Sequence, residues 1–259
     1  MCLILFAYRH HPRYPLILTA NRDEFYERPT QTLDFWPDRP EIAAGRDLER
    51  MGSWLGINRQ GRLAAVTNYR ETRAQRPDTR SRGQLVTDFL TSRIEAPDYL
   101  HRLQADSHLY NGFNLIVGDA QGLYYCSNRC AKASLVKPGI HGLSNRLLDT
   151  PWPKVRDGRS RMAAILAEDD AGIHRHKLLE ALEDQSMPPE DQLPDTGVGP
   201  EWERILAPIF ITSPLYGTRC SSLLTVDKDG EVIFDEITWH PAQAGPSLKS
   251  EKQIQYRIH

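Results

Sequence analysis

Cys2-Leu3-Ile4-Leu5-Phe6-Ala7-Tyr8 and Leu16-Ile17-Leu18-Thr19-Ala20, joined by His11-Pro12-Arg13-Tyr14-Pro15, decide how this chain begins to fold. Two short apolar runs around a proline-containing connection predict a buried β-hairpin. The residue that opens the first strand is also the one with chemistry. Cysteine is small enough for the initiator methionine to be trimmed in front of it. Cys2 would then carry a thiol and a free α-amine on adjacent carbons. The thiolate is a strong nucleophile, and an amine with a pKa of about 7.7–8.0 suits a base near neutral pH. Taken by itself, Cys2 is better explained as a small residue starting a buried strand.

Working outward, Ser53 to Ile57 and Leu63 to Thr67 flank Asn58-Arg59-Gln60-Gly61, a second hairpin signal. The period then changes. Ser81 is placed to cap a helix presenting Leu85, Phe89 and Leu90, and a second helix is expected from Pro97 to about Gln104. Strands return at Phe113 to Val117 and Leu123 to Cys126, around Gly118-Asp119-Ala120-Gln121-Gly122. Helical pattern resumes at Pro153 to Glu168 and Ile173 to Glu183. Pro188 to Pro200 reads as a surface loop without visible chemistry. Arg219 to Val226 and Glu231 to Trp239 are strands across the hairpin turn Asp227-Lys228-Asp229-Gly230. Strands alternate with helices in blocks, with hairpins throughout and no repeated βαβ unit. That order predicts an α+β fold of antiparallel sheets sandwiched by helices, in one domain spanning residues 1–259.

Composition narrows the function. With 259 residues, 40% hydrophobic, 25% charged and a formal net charge of −2, the chain is an ordinary globular one. The near-neutral balance gives no support for nucleic-acid binding, which favours a basic domain. No segment reaches the roughly 18 apolar residues of a membrane span. The seven-residue apolar start has no basic region before it, so it is a poor signal peptide, and a cytoplasmic protein is expected. Cys2, Cys126, Cys130 and Cys220 are too few for a disulfide framework and lack zinc spacing. His174-Arg175-His176 lies on a charged stretch and His10-His11 in a turn, neither with the carboxylate pattern of a metal site. Gly142-Leu143-Ser144-Asn145-Arg146 lacks the second glycine of a nucleophile elbow.

Certain polar residues sit where a bland reading is strained. Asn21-Arg22-Asp23-Glu24 follows directly on a core strand, as if the chain were leaving the sheet. The hairpin brings the end of that strand near Cys2. An arginine there favours a thiolate, and a carboxylate fixes an α-amine. Asn68 and Asn145 each follow a strand. They are either turn residues or oxyanion donors, each of which is typically worth about 10²–10³ in rate. Arg219 opens a late strand, as a surface ion pair or as a second cation near the thiol.

Met1-Cys2-Leu3-Ile4, Leu18 to Phe25, Trp54 to Asn58, Thr67-Asn68-Tyr69-Arg70, Gly142 to Asn145 and Leu148 to Val155 together resemble the NRDE family, also called Transport and Golgi organisation 2 (TANGO2-like). The resemblance runs from residue 1 to about 240. More distantly, the layout is similar to N-terminal-cysteine amidases of the bile-salt-hydrolase and penicillin-V-acylase type. Those are N-terminal-nucleophile (Ntn) hydrolases with a four-layer αββα core. The resemblance implies an amidohydrolase acting on a small-molecule amide through a Cys2 thioester. Cys2, Arg22, Asp23, Asn68, Asn145 and Arg219 would be its site residues, with no resident cofactor or metal. The amidases separate the arginine and aspartate by two residues, whereas Arg22 and Asp23 are adjacent. On a continuous strand they face opposite ways; both reach one side only if the strand has ended or bulged. The same family resemblance also implies a rival class, a non-catalytic haem-binding or haem-trafficking protein. On that reading haem is the ligand, contacted by Cys2 or a histidine, and Asn21 and Arg22 hold its propionates. The oligomeric state is not legible in the sequence.

Overall fold

The computed structural model describes residues 2–72, 76–130, 132–168, 172–240 and 248–258. Its strands are β1 (Cys2–Tyr8), β2 (Leu16–Phe25), β3 (Thr30–Trp36), β4 (Arg39–Asp47), β5 (Leu55–Asn58), β6 (Leu63–Asn68), β7 (Phe113–Asp119), β8 (Gly122–Ser127), β9 (Ser134–Leu135), β10 (Gly139–Leu143), β11 (Tyr216–Val226), β12 (Glu231–His240) and β13 (Leu248–Arg257). The α-helices are α1 (Arg82–Thr91), α2 (Ala96–Asp106), α3 (Pro153–Ala167), α4 (Arg175–Glu180) and α5 (Pro200–Ile205).

The strands form two antiparallel sheets. One runs β10-β1-β2-β11-β12-β13 and the other β3-β4-β5-β6-β7-β8-β9. Their inner faces meet in a dry layer that includes Ile4, Phe6, Leu18 and Leu224 from the first sheet and Leu33, Leu55, Ile57 and Ile116 from the second. Helices α1 and α2 cover the outer face of the second sheet, seating Leu85, Phe89 and Leu100 on Val66, Leu115 and Val117. Helices α3 and α4 cover the first, with Val155, Met162 and Leu178 on Leu3, Leu5, Ala7 and Ile17. The architecture is therefore a four-layer αββα sandwich, as expected.

Turn chemistry fixes the hairpins locally. Asn58 Oδ1 accepts from the backbone N–H groups of Gln60 and Arg62, and Gly61 adopts a φ of 78°. Asp227 Oδ1 likewise accepts from Asp229 and Glu231, with Gly230 at a φ of 78°. Ser81 does stand at the N-cap of α1, but it makes no side-chain capping bond.

Three readings need correction. First, β2 does not stop at Ala20. It continues through the polar tetrapeptide to Phe25, because β1 pairs with it on one side and β11 on the other. Second, residues 30–47, unassigned above, form the β3–β4 hairpin with irregular register. Third, β13 adds an edge strand beyond the last expected one.

Continuation of β2 requires Asn21 to be buried, and its amide finds partners on the helical side. Nδ2 donates to the Leu182 and Ile209 carbonyls at 2.9 Å each, and Oδ1 accepts from Ser221 Oγ at 2.7 Å. Asn21 thus clamps β2 to the helical layer. Asn21→Ala is expected to lower unfolding free energy by roughly 2–3 kcal/mol, since buried carbonyls lose their donor. Urea denaturation checks this: the midpoint should fall with an unchanged slope.

Candidate functional site

Antiparallel pairing sets Cys2 opposite Arg22, and Arg22 opposite Cys220 on β11. Directly opposed residues share a face, so all three project between the sheets. The Arg22 guanidinium carbon lies 4.3 Å from the Trp54 ring centroid. Its Nη1 donates to Thr30 Oγ1 at 3.1 Å and its Nη2 lies 3.8 Å from Asp47 Oδ2. Trp54 reaches this position because Gly45 leaves room: a Cβ there would collide with the indole.

Asp23 faces the other way, as strand alternation demands. Its Oδ1 accepts from Thr218 Oγ1 at 2.8 Å and its backbone carbonyl accepts from Tyr216 Oη at 2.9 Å. Burial pushes the carboxyl upward, opposed chiefly by Lys154 in the first turn of α3. Burial also pulls Lys154 down to about 8.

Asn68 ends β6, half-buried on the cavity wall. Asn145, fully buried after β10, donates from Nδ2 to the Asn68 carbonyl at 2.9 Å, and its own carbonyl accepts from the Arg70 N–H at 2.7 Å. Ser144 Oγ donates to the Cys2 carbonyl at 3.2 Å. Arg219 lies at the irregularity between Thr218 and Cys220, where the β11–β2 register shifts. Its Nη1 donates to the carbonyls of Phe25, Tyr26 and Arg28, which organises the β2–β3 turn.

A cavity of about 290 Å³ gathers part of this set. Cys2, Arg22, Asp23 and Asn68 line it, with Glu24 and Trp54; Asn145 and Arg219 do not. Residues 76–83 and the start of α1 close another part of its wall. Six arginines and four carboxylates line it in all, so it suits a polar ligand. Among the described residues no cluster of histidine, cysteine and carboxylate side chains could hold a metal ion.

Burial is the dominant influence on the Cys2 thiol and raises it above its ordinary value; Arg22 lowers it by less. The thiol is therefore protonated at neutral pH, and a nucleophile made from it requires a nearby base.

A family model described as Transport and Golgi organisation 2 matches residues 1–241. The chain belongs to that family. A Mus musculus protein, the Transport and Golgi organization 2 homolog, is 38% identical over 256 residues, covering 91% of this chain and 92% of that protein. The Bos taurus homolog is 40% identical with the same coverage. Among solved structures, a Caenorhabditis elegans ortholog of N-acylethanolamine-hydrolyzing acid amidase overlays with a TM-score of 0.49. It is 14% identical, with 86% of this chain and 92% of that chain covered. No helix in the described residues is long and apolar enough to cross a membrane.

Sequence reasoning missed Lys154, Glu203 and the arginines around α1. Lys154 had a signal: a cation directly after a proline that starts a helix, where the helix dipole opposes it. Glu203 and Arg70, ion-paired at 2.7 Å, had none, since they lie 133 residues apart.

The buried thiol makes a pH prediction. In protein retaining Met1, the rate of Cys2 alkylation by iodoacetamide should keep rising beyond about pH 9 rather than level off there. Peptide mass spectrometry across a pH series checks it; a plateau by pH 8 would contradict a thiol raised by burial.

Proposed function

We propose that this protein is an N-terminal-cysteine amidohydrolase for a small, polar amide, active once Met1 has been removed. The observation that carries the reading is the convergence of Cys2, Arg22, Asp23 and Asn68 on one charged cavity.

In the proposed cycle the Cys2 α-amine takes the Sγ proton, directly or through water. The thiolate attacks the amide carbon, and the carbonyl oxygen becomes an oxyanion facing the Asn68 side chain and backbone N–H groups. Asn145, behind the cavity wall, fixes Asn68 by donating to its carbonyl. The ammonium then protonates the leaving nitrogen as the C–N bond breaks, which leaves a thioester. Water attacks the thioester carbon, giving its proton to the amine. The acid departs and Sγ regains a proton. Arg22 stabilises the thiolate from across the strand pair, and Asp23 orients the amine. Arg219 acts at one remove, by holding the turn after β2.

The test begins with intact mass of protein purified from cells. A mass lacking methionine is expected, followed by hydrolysis of members of an acyl-amide panel. On any amide hydrolysed, Cys2→Ala should reduce the rate to background, and Asn68→Ala should lower kcat by about 10²–10³. Full activity in Cys2→Ala would end the proposal.

The haem-carrier alternative has less support. Asn21 is engaged with Leu182, Ile209 and Ser221 on the helical side, so it is not placed to hold a propionate in the cavity. Among the described residues no histidine lines the cavity, and charged walls suit a macrocycle poorly. The residues therefore do not fit haem. Titration with haemin at micromolar protein is expected to leave the Soret band at its free position; a saturable one-to-one shift lost in Cys2→Ala would restore the carrier reading.

A further inference from the structure

We infer that the substrate of this site is an anionic amide, a small molecule that presents its scissile bond to Cys2 and a carboxylate to Arg82. The inference rests on the N-terminal-nucleophile reading for the amide end and adds the recognition of the other end.

The starting point is how the charges of the cavity pair. The wall built from the ends of β2 and β4 is balanced within itself. Arg28 lies 2.7 Å from Asp47, 3.2 Å from Glu49 and 3.9 Å from Glu24. Arg22 lies 3.8 Å from Asp47, and Arg50 lies 3.8 Å from Glu49. The remaining lining carboxylate, Asp23, accepts from Thr218 on the helical side of β2. The wall made by residues 76–83 is different. It contributes Arg76, Arg80 and Arg82 to the lining and no carboxylate, since Asp78 does not line the cavity. Among the described residues these arginines hydrogen-bond to neutral partners only. Arg76 donates to the His108 and Tyr110 carbonyls, Arg80 to the Tyr110 side chain and Arg82 to the Gly112 carbonyl. Like charges gathered on one wall repel one another, and a bound anion removes that cost.

Arg82 is the best placed of the three. Arg76 and Arg80 are exposed, so they attract an anion without fixing it; Arg82 is half-buried. As the first residue of α1, it is also held in position. The Ser53 N–H donates to the Gly83 carbonyl at 3.2 Å. Gly52 permits that approach: a Cβ there would lie 2.5 Å from the Gly83 carbonyl carbon. Arg82 Nη1 reaches the Gly112 carbonyl at 3.2 Å. A guanidinium carries five N–H groups in a fork that matches two carboxylate oxygens, and one bond to a neutral carbonyl leaves Nε and Nη2 for a ligand. Glu24 is the carboxylate with the strongest influence on Arg82, yet it is engaged elsewhere. Its Oε1 accepts from the Phe25 N–H at 3.0 Å and its Oε2 lies toward Arg28. The first turn of α1 holds no acidic residue either, so nothing local balances a cation at that helix end.

Cavity size ties the two ends together. Cys2 and Arg82 line the same space of about 290 Å³, at the lower end of ligand sites. A scissile amide and an anchoring carboxylate therefore belong to one small molecule. A carboxylate, planar and singly charged, matches the single half-buried fork.

Binding is measured by NMR titration on Cys2→Ala protein, so that no probe is consumed. The probes are succinamate, glutaramate and adipamate, each beside its neutral diamide. At least one of these monoamides is expected to bind about tenfold or more tightly than its diamide, as a charge-assisted forked pair should. Arg82→Gln should remove that preference, and Arg82→Lys should keep part of it. No preference in any pair, or a preference unchanged in Arg82→Gln, overturns the inference. If Arg82→Gln does not fold, the parent protein decides. The preferred monoamide should slow phenylglyoxal modification of Arg82, read by peptide mass spectrometry, while its diamide should not; equal rates overturn the inference. The two readings fail separately. A carboxylate preference without hydrolysis of any amide by the parent protein would sink the hydrolase reading alone. Hydrolysis of the diamides as fast as the monoamides would sink this inference alone.

Discussion

The alternation of side chains along β2 is the constraint on which the rest depends. β2 is hydrogen-bonded on both edges, to β1 and to β11, and covered on both faces. A strand in that position cannot leave the sheet between Ala20 and Phe25 without breaking two ladders. Four polar residues are therefore buried in sequence and divided between two environments. Asn21 and Asp23 turn toward the helices; Arg22 turns toward the second sheet. A register slip of one residue would exchange these sets, setting Arg22 among apolar helical side chains and removing Asp23 from Thr218.

From that division the site's electrostatics follow. The thiol and its arginine occupy one face and the carboxylate the other, so they meet only where the strand pair ends, at Cys2. This resolves the difficulty of adjacent Arg22 and Asp23 without a strand break or a bulge in β2. The irregularity falls instead on β11, between Thr218 and Cys220. It lets Thr218 meet Asp23 and Cys220 meet Arg22, while Arg219 turns out to the β2–β3 turn. A local disruption of the partner strand thus satisfies both faces of the central one.

Legibility in the sequence tracked how local each cause was. The β5–β6, β7–β8 and β11–β12 hairpins carry their own turn residues, and α1, α2 and α3 their own apolar period, so they were readable. Residues 30–47 and 248–257 were not. Thr30 to Trp36 is mostly polar, and β13 is a charged edge strand with few apolar residues to mark it, Ile254 and Tyr256 turning inward. The tetrapeptide looked like a loop because what buries it comes from far along the chain. Asn21 bonds Leu182, 161 residues away, and Ser221, 200 away. No window of sequence contains that information. Cys2, Arg22, Asp23 and Asn68 were identified as a set, and they do gather at one cavity; Asn145 and Arg219 instead hold the residues that form it.

A buried acid, a buried lysine and a buried thiol within one neighbourhood are costly to fold, and a protein gains nothing in stability by assembling them. Apolar residues would fill the same volume with fewer demands. Such groups persist where a reaction needs their charges set by the protein rather than by water. Here the costs also interlock. On the proposed reading, the raised thiol needs a base beside it, and the Cys2 amine that would serve as that base needs a carboxylate to orient it. Burial pushes that carboxyl upward, and Lys154 is the chief influence against it. Each group makes sense only in the presence of the next, and the chain that supplies them runs from β1 through β2 to the first turn of α3. On the proposed reading such a dependence suits a reacting site better than a passive pocket wall, and the decisive event falls at the nitrogen of Cys2, which removal of Met1 would expose.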